Sequence, residues 1–470
     1  LAISYMMRFC LSMTITEMTV VYGAKEDPFT CPYPTSLTEQ EEKEKMEFQW
    51  TAQQQGLIHG AFFWGYFITT MIGGVLSDMF NHKAVMLSGL LGTCIATFIT
   101  PFVTRNFDWI GLILCRVLVG LCQGVFYNSL LAVTAHWIPP LERGTLGTVV
   151  FSGSHFGNSL NTLSTGFLMD YFNWPIPFYI YSGIGLFFAI VFFFTTRSNP
   201  MELHLTDRET KVFVDYMMQV LDKERITKKI PIKHILRNKH VWAIFIATFG
   251  HSWAAVAIAV YIPTFIKSVL HLPTLYNAIY NSTTFVVIWT VALSSGCISD
   301  FIQKKKWISL TWNRKCFYLM GTFFPAMGFI GISYAECNEH LAMVFMVVGF
   351  STLGFYYPSV KVNSLDLSPN YAATIGALAQ MGSSIAGVMV PYVFGIITAN
   401  GHMKEWRIVF WISSVILLIT GLTFFVLATA KEQSFNLYYA DVLRGHSGSS
   451  LVLGRRVGRD IHFLCFNLGI

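Results

Sequence analysis

The stretch Gly74-Val75-Leu76-Ser77-Asp78 recurs as Gly296-Cys297-Ile298-Ser299-Asp300, and each copy closes a long apolar run. The two aspartates lie 222 residues apart (300 − 78 = 222), close to half of the 470-residue chain. Three further pairs recur at nearly the same offset: Gly124-Val125-Phe126-Tyr127-Asn128-Ser129 with Gly354-Phe355-Tyr356-Tyr357-Pro358-Ser359, Gly157-Asn158-Ser159 with Gly382-Ser383-Ser384, and Trp174 with Trp406. The sequence therefore predicts two similar halves that run in parallel.

The composition places these halves in a membrane. The chain is 53% hydrophobic and 12% charged, about half the charged share of an ordinary soluble domain. A helix needs about 20 apolar residues to cross the hydrocarbon core, and twelve stretches meet that length, near 1–22, 54–77, 84–103, 110–133, 145–168, 175–196, 240–266, 277–298, 315–334, 340–361, 371–398 and 406–430. We predict an all-α integral membrane protein, with twelve transmembrane helices (spans 1 to 12) in two pseudo-symmetric six-helix halves.

The domain organisation follows from these stretches. We predict an N-terminal six-helix bundle over 1–196, a cytoplasmic linker over 197–239, a C-terminal six-helix bundle over 240–435 and an atypical tail over 436–470. The first residue already lies inside an apolar helix, so no signal peptide is recognised and the natural start is expected to be missing.

Lysines and arginines orient the helices. The linker is rich in both, and a lysine run, Lys304-Lys305-Lys306, follows span 8. Both segments therefore face the cytoplasm, and an even number of spans puts both termini there. The net charge of +6 is then a topology signal rather than a sign of nucleic-acid binding.

Most of the nine cysteines fall inside spans. We interpret the cysteines as packing residues and disfavour a bridge between the loop residues Cys31 and Cys337.

Ionisable residues inside a span cost about 2.5–3.5 kcal/mol each and are functional candidates. The candidates are Arg8, Glu17, His59, Arg116 and His251. Arginine stays charged and offers a planar fork of donors, so two arginines without equal numbers of acids predict a cavity that binds a small anionic solute. The alternatives are that Arg8 snorkels to the surface, that Arg116 pairs with polar neighbours and that the histidines are hydrogen-bonded packing residues.

The duplicated aspartates predict a gate. Asp78 and Asp300 are placed where cytoplasmic helix ends meet, and each could cap a helix or pair with a basic residue such as Arg143. A solvated turn acid is the alternative. Gly120 and Gly124 lie on one face of span 4, which predicts that another helix approaches closely there.

Several longer motifs resemble a known family: Gly60-Ala61-Phe62-Phe63-Trp64-Gly65-Tyr66, Trp137-Ile138-Pro139-Pro140-Leu141-Glu142-Arg143, Asn363-Ser364-Leu365-Asp366-Leu367-Ser368-Pro369 with Tyr371-Ala372, and Glu405-Trp406. They are similar to the anion and sodium-phosphate cotransporters of the major facilitator superfamily, which include sialin, the vesicular glutamate transporters and the type I sodium-phosphate cotransporters. The resemblance implies anion or phosphate symport by alternating access, with Arg8 and Arg116 as substrate arginines and His59 similar to a histidine of the glutamate branch.

Departures from the family pattern bear on coupling. Gln123 stands where proton-coupled members carry a glutamate, and an amide does not titrate. His251 replaces an arginine of the glutamate branch, and Met79 and Asn81 depart from the usual turn. We therefore favour sodium or membrane potential as the driving force, with Glu17 the other coupling candidate. The alternatives are a proton-coupled organic anion transporter and a membrane sensor or scaffold that does not transport.

The remaining expectations concern partners and location. No motif of an enzyme occurs, and no cofactor is expected beyond a transported sodium ion. The chain is expected to act as a monomer in the plasma membrane or in a vesicular or lysosomal membrane, with the lipid bilayer and a small anionic solute as partners and no nucleic acid.

Overall fold

The computed structural model describes residues 1–19, 31, 47–79, 81–137, 143–196, 231–368 and 371–436. This part of the chain is almost entirely helical, and its only β feature is an isolated bridge between Thr19 and Phe48. Helices occupy all twelve predicted positions. In the lipid core a helix satisfies its own backbone polar groups, which is why so apolar a chain folds in this way.

The first half contains spans 1 to 6. Spans 3 and 4 are two helices that meet directly at Asp108, whose φ of 53° is not helical. Trp50 Nε1 donates a hydrogen bond of 2.7 Å to Asp108 Oδ1 and fixes this corner. The helices are Ala2–Met18 (span 1), Ala52–Met79 (span 2), His82–Trp137 (spans 3 and 4), Arg143–Tyr171 (span 5) and Ile176–Thr195 (span 6).

The second half contains spans 7 to 12, preceded by a short helix, Ile232–Arg237. Its helices are Lys239–Ser268 (span 7), Thr274–Lys305 (span 8), Leu310–Tyr334 (span 9), Glu339–Leu367 (span 10), Ala372–Ile397 (span 11) and Met403–Leu427 (span 12).

Eight helices in the described ranges are long and apolar enough to cross a membrane. Spans 3 and 4 together count as one of them, and spans 1, 2 and 5 are not among the eight. Span 1 is described over 17 residues only, and span 5 carries several polar side chains. Most of these polar side chains of span 5 are buried.

Two helices of the second half are irregular. A π-helical turn, Ala257–Tyr261, interrupts span 7 just before Pro263. Span 10 contains the π-helical turns Phe345–Gly349 and Tyr357–Lys361 with a 3₁₀ segment between them. Irregular backbone at membrane depth is tolerated where it is buried in protein or lines a cavity.

Glycines allow the closest helix contacts. A Cβ at Gly120 would overlap the carbonyl oxygen of Phe62 in span 2, and one at Gly124 would overlap Thr69 of the same helix. The predicted close approach of span 4 to another helix is therefore confirmed. Between the two halves, a Cβ at Gly56 would lie 2.5 Å from the carbonyl oxygen of Pro391, which brings spans 2 and 11 into backbone contact.

Cys31 and Cys337 form a disulfide with a Cα–Cα distance of 5.3 Å. The interpretation of these two cysteines as packing residues is therefore wrong. The pairing is not evident from the sequence, because the two cysteines are 306 positions apart. Only the tertiary fold brings the loop after span 1 beside the loop between spans 9 and 10.

Some predictions fall outside the described residues. These are the structure of 197–230 and 437–470, which make up most of the predicted linker and tail, and most of the loop between spans 1 and 2. The side chains of the predicted gate residues Asp78 and Arg143 are also outside the described part, although both residues belong to helices.

Candidate functional site

A central cavity of about 100 Å³ lies between the two halves. Spans 1, 2, 4 and 5 line it from one side, and spans 7, 8, 10 and 11 line it from the other. Its lining is aromatic and polar, with Arg8, His155, His251 and Lys361 as the basic residues. None of the described side chains that line this cavity is a carboxylate.

Arg8 reaches the central cavity from span 1 through a cage of aromatic rings. Its guanidinium carbon lies 4.2 Å from the ring centroid of Phe62 and 4.9 Å from that of Phe63, both in span 2. Three more rings lie within 5.3 Å. Aromatic faces attract a cation without neutralising its charge. The buried Nε of Arg8 has no hydrogen-bond partner within the described residues, so a donor is left for a ligand.

Arg116 and Gln123 of span 4 do not line the central cavity and instead contact the backbone of span 1. Arg116 Nη1 donates a hydrogen bond of 2.9 Å to the backbone carbonyl of Arg8, and Gln123 Nε2 donates one of 2.9 Å to the carbonyl of Ser4. Both side chains are buried. They therefore hold the backbone of span 1 at Arg8 and one turn before it, and neither lines either of the two cavities between the halves.

His251 lines the central cavity from span 7. Its ring stacks on Tyr356 of span 10, with centroids 3.9 Å apart and planes inclined by 7°. This stacking fixes the ring plane, and the edge that carries the nitrogens is free to hydrogen-bond in the plane.

A second cavity, here called the outer cavity, lies towards the predicted outer end of the helices, where Trp50 and Gly401 are found. His59 lines this cavity and not the central one, and its ring lies 6.2 Å from that of Tyr261 in span 7. His59 therefore lines a different cavity from Arg8 and His251. His59 lies one helical turn nearer the outer end of span 2 than Phe63, which lines the central cavity.

Glu17 forms an ion pair between the two halves. Its Oε1 lies 3.2 Å from Lys267 Nζ in span 7, and the same oxygen accepts a hydrogen bond from the Thr274 hydroxyl at the start of span 8. Lys267 is buried and lines the outer cavity. This arrangement holds the outer end of span 1 against spans 7 and 8.

At the opposite end, Asp300 is exposed, and no ion pair of Asp300 occurs within the described residues. The paired charges nearby are Arg314 and Asp366, whose Nε and Oδ2 lie 2.8 Å apart. Arg314 Nη1 also donates a hydrogen bond of 2.5 Å to the carbonyl of Pro358, in the irregular part of span 10.

The sequence reasoning missed three cavity residues. His155 falls well inside predicted span 5, so the rule for intramembrane ionisable residues should have found it. Lys361 and Lys267 lie at the predicted ends of their spans, where a lysine normally snorkels to the surface. Span 10 continues past Lys361 to Leu367, so Lys361 is an interior residue of its helix. Lys267 is one residue from the end of span 7 at Ser268, but its side chain is buried.

Comparisons with known proteins agree with this fold. The family model described as Major Facilitator Superfamily matches residues 1–391. The chain is 27% identical to human sialin over 440 residues, which cover 93% of this chain and 88% of sialin. It is 26% identical to the mouse sodium-dependent phosphate transport protein 3 over 389 residues, which cover 83% of this chain and 81% of that protein. These matches confirm the resemblance read from the motifs.

Solved structures show the same fold at low identity. The D-xylose-proton symporter superposes with a TM-score of 0.65 and 13% identity, covering 92% of this chain and 98% of the symporter. A bacterial homolog of the human lysosomal transporter Spinster, in an inward-facing and occupied conformation, gives a TM-score of 0.64 and 15% identity, covering 91% of this chain and 95% of that chain.

Proposed function

The chain belongs to the Major Facilitator Superfamily, and on that premise we propose that it is a secondary active transporter of small anions that works by alternating access. Inorganic phosphate and small organic anions are the proposed solutes. The relatives named sialin and sodium-dependent phosphate transport protein support this class of solute. The two six-helix bundles, 1–196 and 240–435, are the proposed moving bodies.

The observation that carries the proposal is the charge of the central cavity. Arg8 faces it from an aromatic cage, and no described lining residue is an acid. A guanidinium away from bulk water is stable only with a counter-charge or with hydrogen bonds that replace its hydration. A transported anion supplies both. Arg116 supports this site by holding the carbonyl of Arg8, which makes it a positioning residue in the proposal.

Alternating access is supported by the contacts between the halves. At the outer end, Glu17 of span 1 joins Lys267 of span 7, and Gly56 of span 2 lies against Pro391 of span 11. Such contacts must break for the outer end to open. Asp78, Arg143 and Asp300 are the proposed gate at the cytoplasmic end.

Sodium or the membrane potential is the proposed driving force. Gln123 is an amide hydrogen-bonded to backbone, so it does not carry a proton during transport. Proton coupling is the second candidate, because His155 and His251 both line the central cavity and imidazoles titrate near neutral pH.

We further propose that the chain is a monomer with no enzymatic activity. It lies in a plasma, vesicular or lysosomal membrane, with both termini on the cytoplasmic side.

Purified protein in liposomes tests the proposal. Uptake of phosphate, urate, glutamate and sialic acid is measured under separate sodium, proton and voltage gradients. We expect accumulation of at least one anion under a sodium or voltage gradient, and its loss in Arg8→Gln. The matched control is Arg105→Gln, which removes an exposed arginine that lines neither cavity. Folded protein that moves none of these anions would support the sensor or scaffold alternative.

A further inference from the structure

Lys361 is a second cation that lines the central cavity, and it belongs to the other half of the chain from Arg8. Arg8 belongs to span 1 of the first half, and Lys361 belongs to the π-helical turn Tyr357–Lys361 in span 10 of the second half. Lys361 Nζ donates a hydrogen bond of 3.2 Å to the hydroxyl of Tyr127. It also lies 5.6 Å from the ring centroid of Tyr127 and 5.3 Å from that of Phe151.

These neighbours leave the charge of Lys361 uncompensated. Tyr127 is a neutral partner and the two rings provide only a weak cation–π attraction. No ion pair of Lys361 occurs in the part of the chain that the structure describes. An ammonium has three donors, and the hydrogen bond to Tyr127 uses one of them, so two donors can bind a solute.

His155 points independently to a polar ligand. Its side chain is buried, with 6% exposure, and it lines the central cavity from span 5. Neither ring nitrogen has a hydrogen-bond partner among the described residues. One helical turn later, Asn158 also lines the cavity and its buried Oδ1 has no partner. Buried polar atoms are rarely left unsatisfied, because nothing then replaces the hydrogen bonds they make to water. A polar solute in this cavity satisfies them.

The formal charge of the lining sets the charge of the solute. Arg8 and Lys361 contribute two positive charges to the lining, and the described lining has no carboxylate. Arg116 donates to the backbone carbonyl of Arg8 and does not line the cavity. A monovalent anion neutralises one of these two half-buried cations and leaves the other without a counter-charge. A partly desolvated charge without a counter-charge is unfavourable. An anion with two negative charges can pair with both.

We propose that the central cavity binds its solute between two cationic poles, Arg8 and Lys361, and selects anions that carry at least two negative charges, such as dicarboxylates or oxyanions of charge −2. His155 hydrogen-bonds the bound solute from the side. This inference rests on the proposed anion transport and adds the charge class of the solute. It also gives each moving half one pole, so the solute joins the two halves when it is bound.

The experiment compares anions of the same chemical class, carboxylates or inorganic oxyanions, that differ in charge. Binding of succinate and butyrate, and of sulfate and nitrate, is measured on purified protein at one fixed pH by calorimetry and by the shift of the thermal unfolding midpoint. We expect succinate and sulfate to bind at least about tenfold more tightly than butyrate and nitrate, which corresponds to about 1.4 kcal/mol. No variant is needed for this first comparison.

The variants then assign the second pole. Lys361→Gln is expected to reduce the preference for the divalent anion to about threefold or less, mainly by weakening succinate and sulfate, whereas Lys361→Arg keeps the preference. The matched control is Lys315→Gln in span 9, a lysine that contacts Trp312 and Phe425 and lines neither cavity. It is expected to keep the wild-type affinities.

The possible outcomes separate the two proposals. Equal affinity for monovalent and divalent anions in the wild type overturns the two-pole site and leaves anion transport standing. A Lys361→Gln protein that weakens both classes equally overturns the role of Lys361 as the second pole. A wild type that neither binds nor transports any anion overturns the proposed function itself.

Discussion

The Nη1 group of Arg116 lies 2.9 Å from the backbone carbonyl oxygen of Arg8, so the arginine of span 4 holds the backbone from which the cavity arginine projects. Arg116 is buried to 4% exposure, and within the described residues it has no acidic partner. Arg8 is therefore the binding residue of the proposed anion site, and Arg116 is its positioning residue.

This relationship predicts different outcomes for two substitutions. Arg116→Ala should reduce anion affinity more than tenfold, because a hydrogen bond to a charged group is worth about 1.5–3 kcal/mol. Arg116→Lys should recover part of the affinity, since an ammonium can donate to the same carbonyl. If Arg116 instead binds the anion directly through a bidentate pair of hydrogen bonds, Arg116→Lys should lose as much anion affinity as Arg116→Ala. Uptake kinetics of folded, membrane-inserted variants decide between the two roles.

The ion pair between Glu17 and Lys267 predicts a shift in conformational population. Glu17→Gln should favour opening of the outer end, because it removes a contact between spans 1 and 7 worth about 1 kcal/mol, which corresponds to a factor of about five. The readout is the labelling rate of a cysteine introduced at Thr398, which lines the outer cavity.

A control and a rescue accompany this test. Arg105→Gln breaks an exposed ion pair with Glu47 inside the first half, and the labelling rate should stay unchanged. Exchanging the two charges, with Glu17→Lys and Lys267→Glu in one protein, should return the rate towards the wild-type value. A swap without any rescue means that the pair does not hold the outer end closed.

The disulfide predicts a stability effect that depends on reducing agent. Cys31→Ser should lower the thermal unfolding midpoint by several degrees, because a covalent link between distant segments contributes about 2–4 kcal/mol. Reduction of the wild type should have the same effect and should add nothing to Cys31→Ser. Cys297→Ser removes an exposed free thiol and is the control. An unchanged midpoint in Cys31→Ser would mean that the link does not stabilise the fold.

Gln123 predicts how pH dependence can be introduced. In Gln123→Glu, a protonated acid can donate to the carbonyl of Ser4 as the amide does, whereas an ionised carboxylate faces that carbonyl with repulsion. Uptake by the variant should therefore be close to wild type at low pH and should fall as the pH rises, measured from about pH 5 to pH 8. The comparison needs wild-type uptake over the same range at clamped voltage. A variant that follows the wild-type pH profile would exclude Gln123 from the coupling path.

The candidate site could be predicted only in part. Arg8 and His251 stand out in the sequence because a charged or titratable group in an apolar run has to be explained. Lys361 does not stand out, since a lysine at the apparent end of a span normally reaches the surface. Its place in the cavity depends on the irregular turns that extend span 10 past it to Leu367. The hydrophobic periodicity of the sequence does not predict these π-helical turns.

The sequence by itself predicted the membrane location, the twelve helices and two similar halves. Hydropathy and helix length are properties of neighbouring residues, and the internal repeat is visible when the two halves of the sequence are compared. Tertiary structure decided which polar residues meet. It placed Arg8 and Lys361 in one cavity, moved His59 to another, set Arg116 behind Arg8 and joined Cys31 to Cys337. The physical reason is that these relationships depend on how helices far apart in the chain rotate and cross. Side-chain packing between helices sets that rotation, and the order of residues along one helix does not record it.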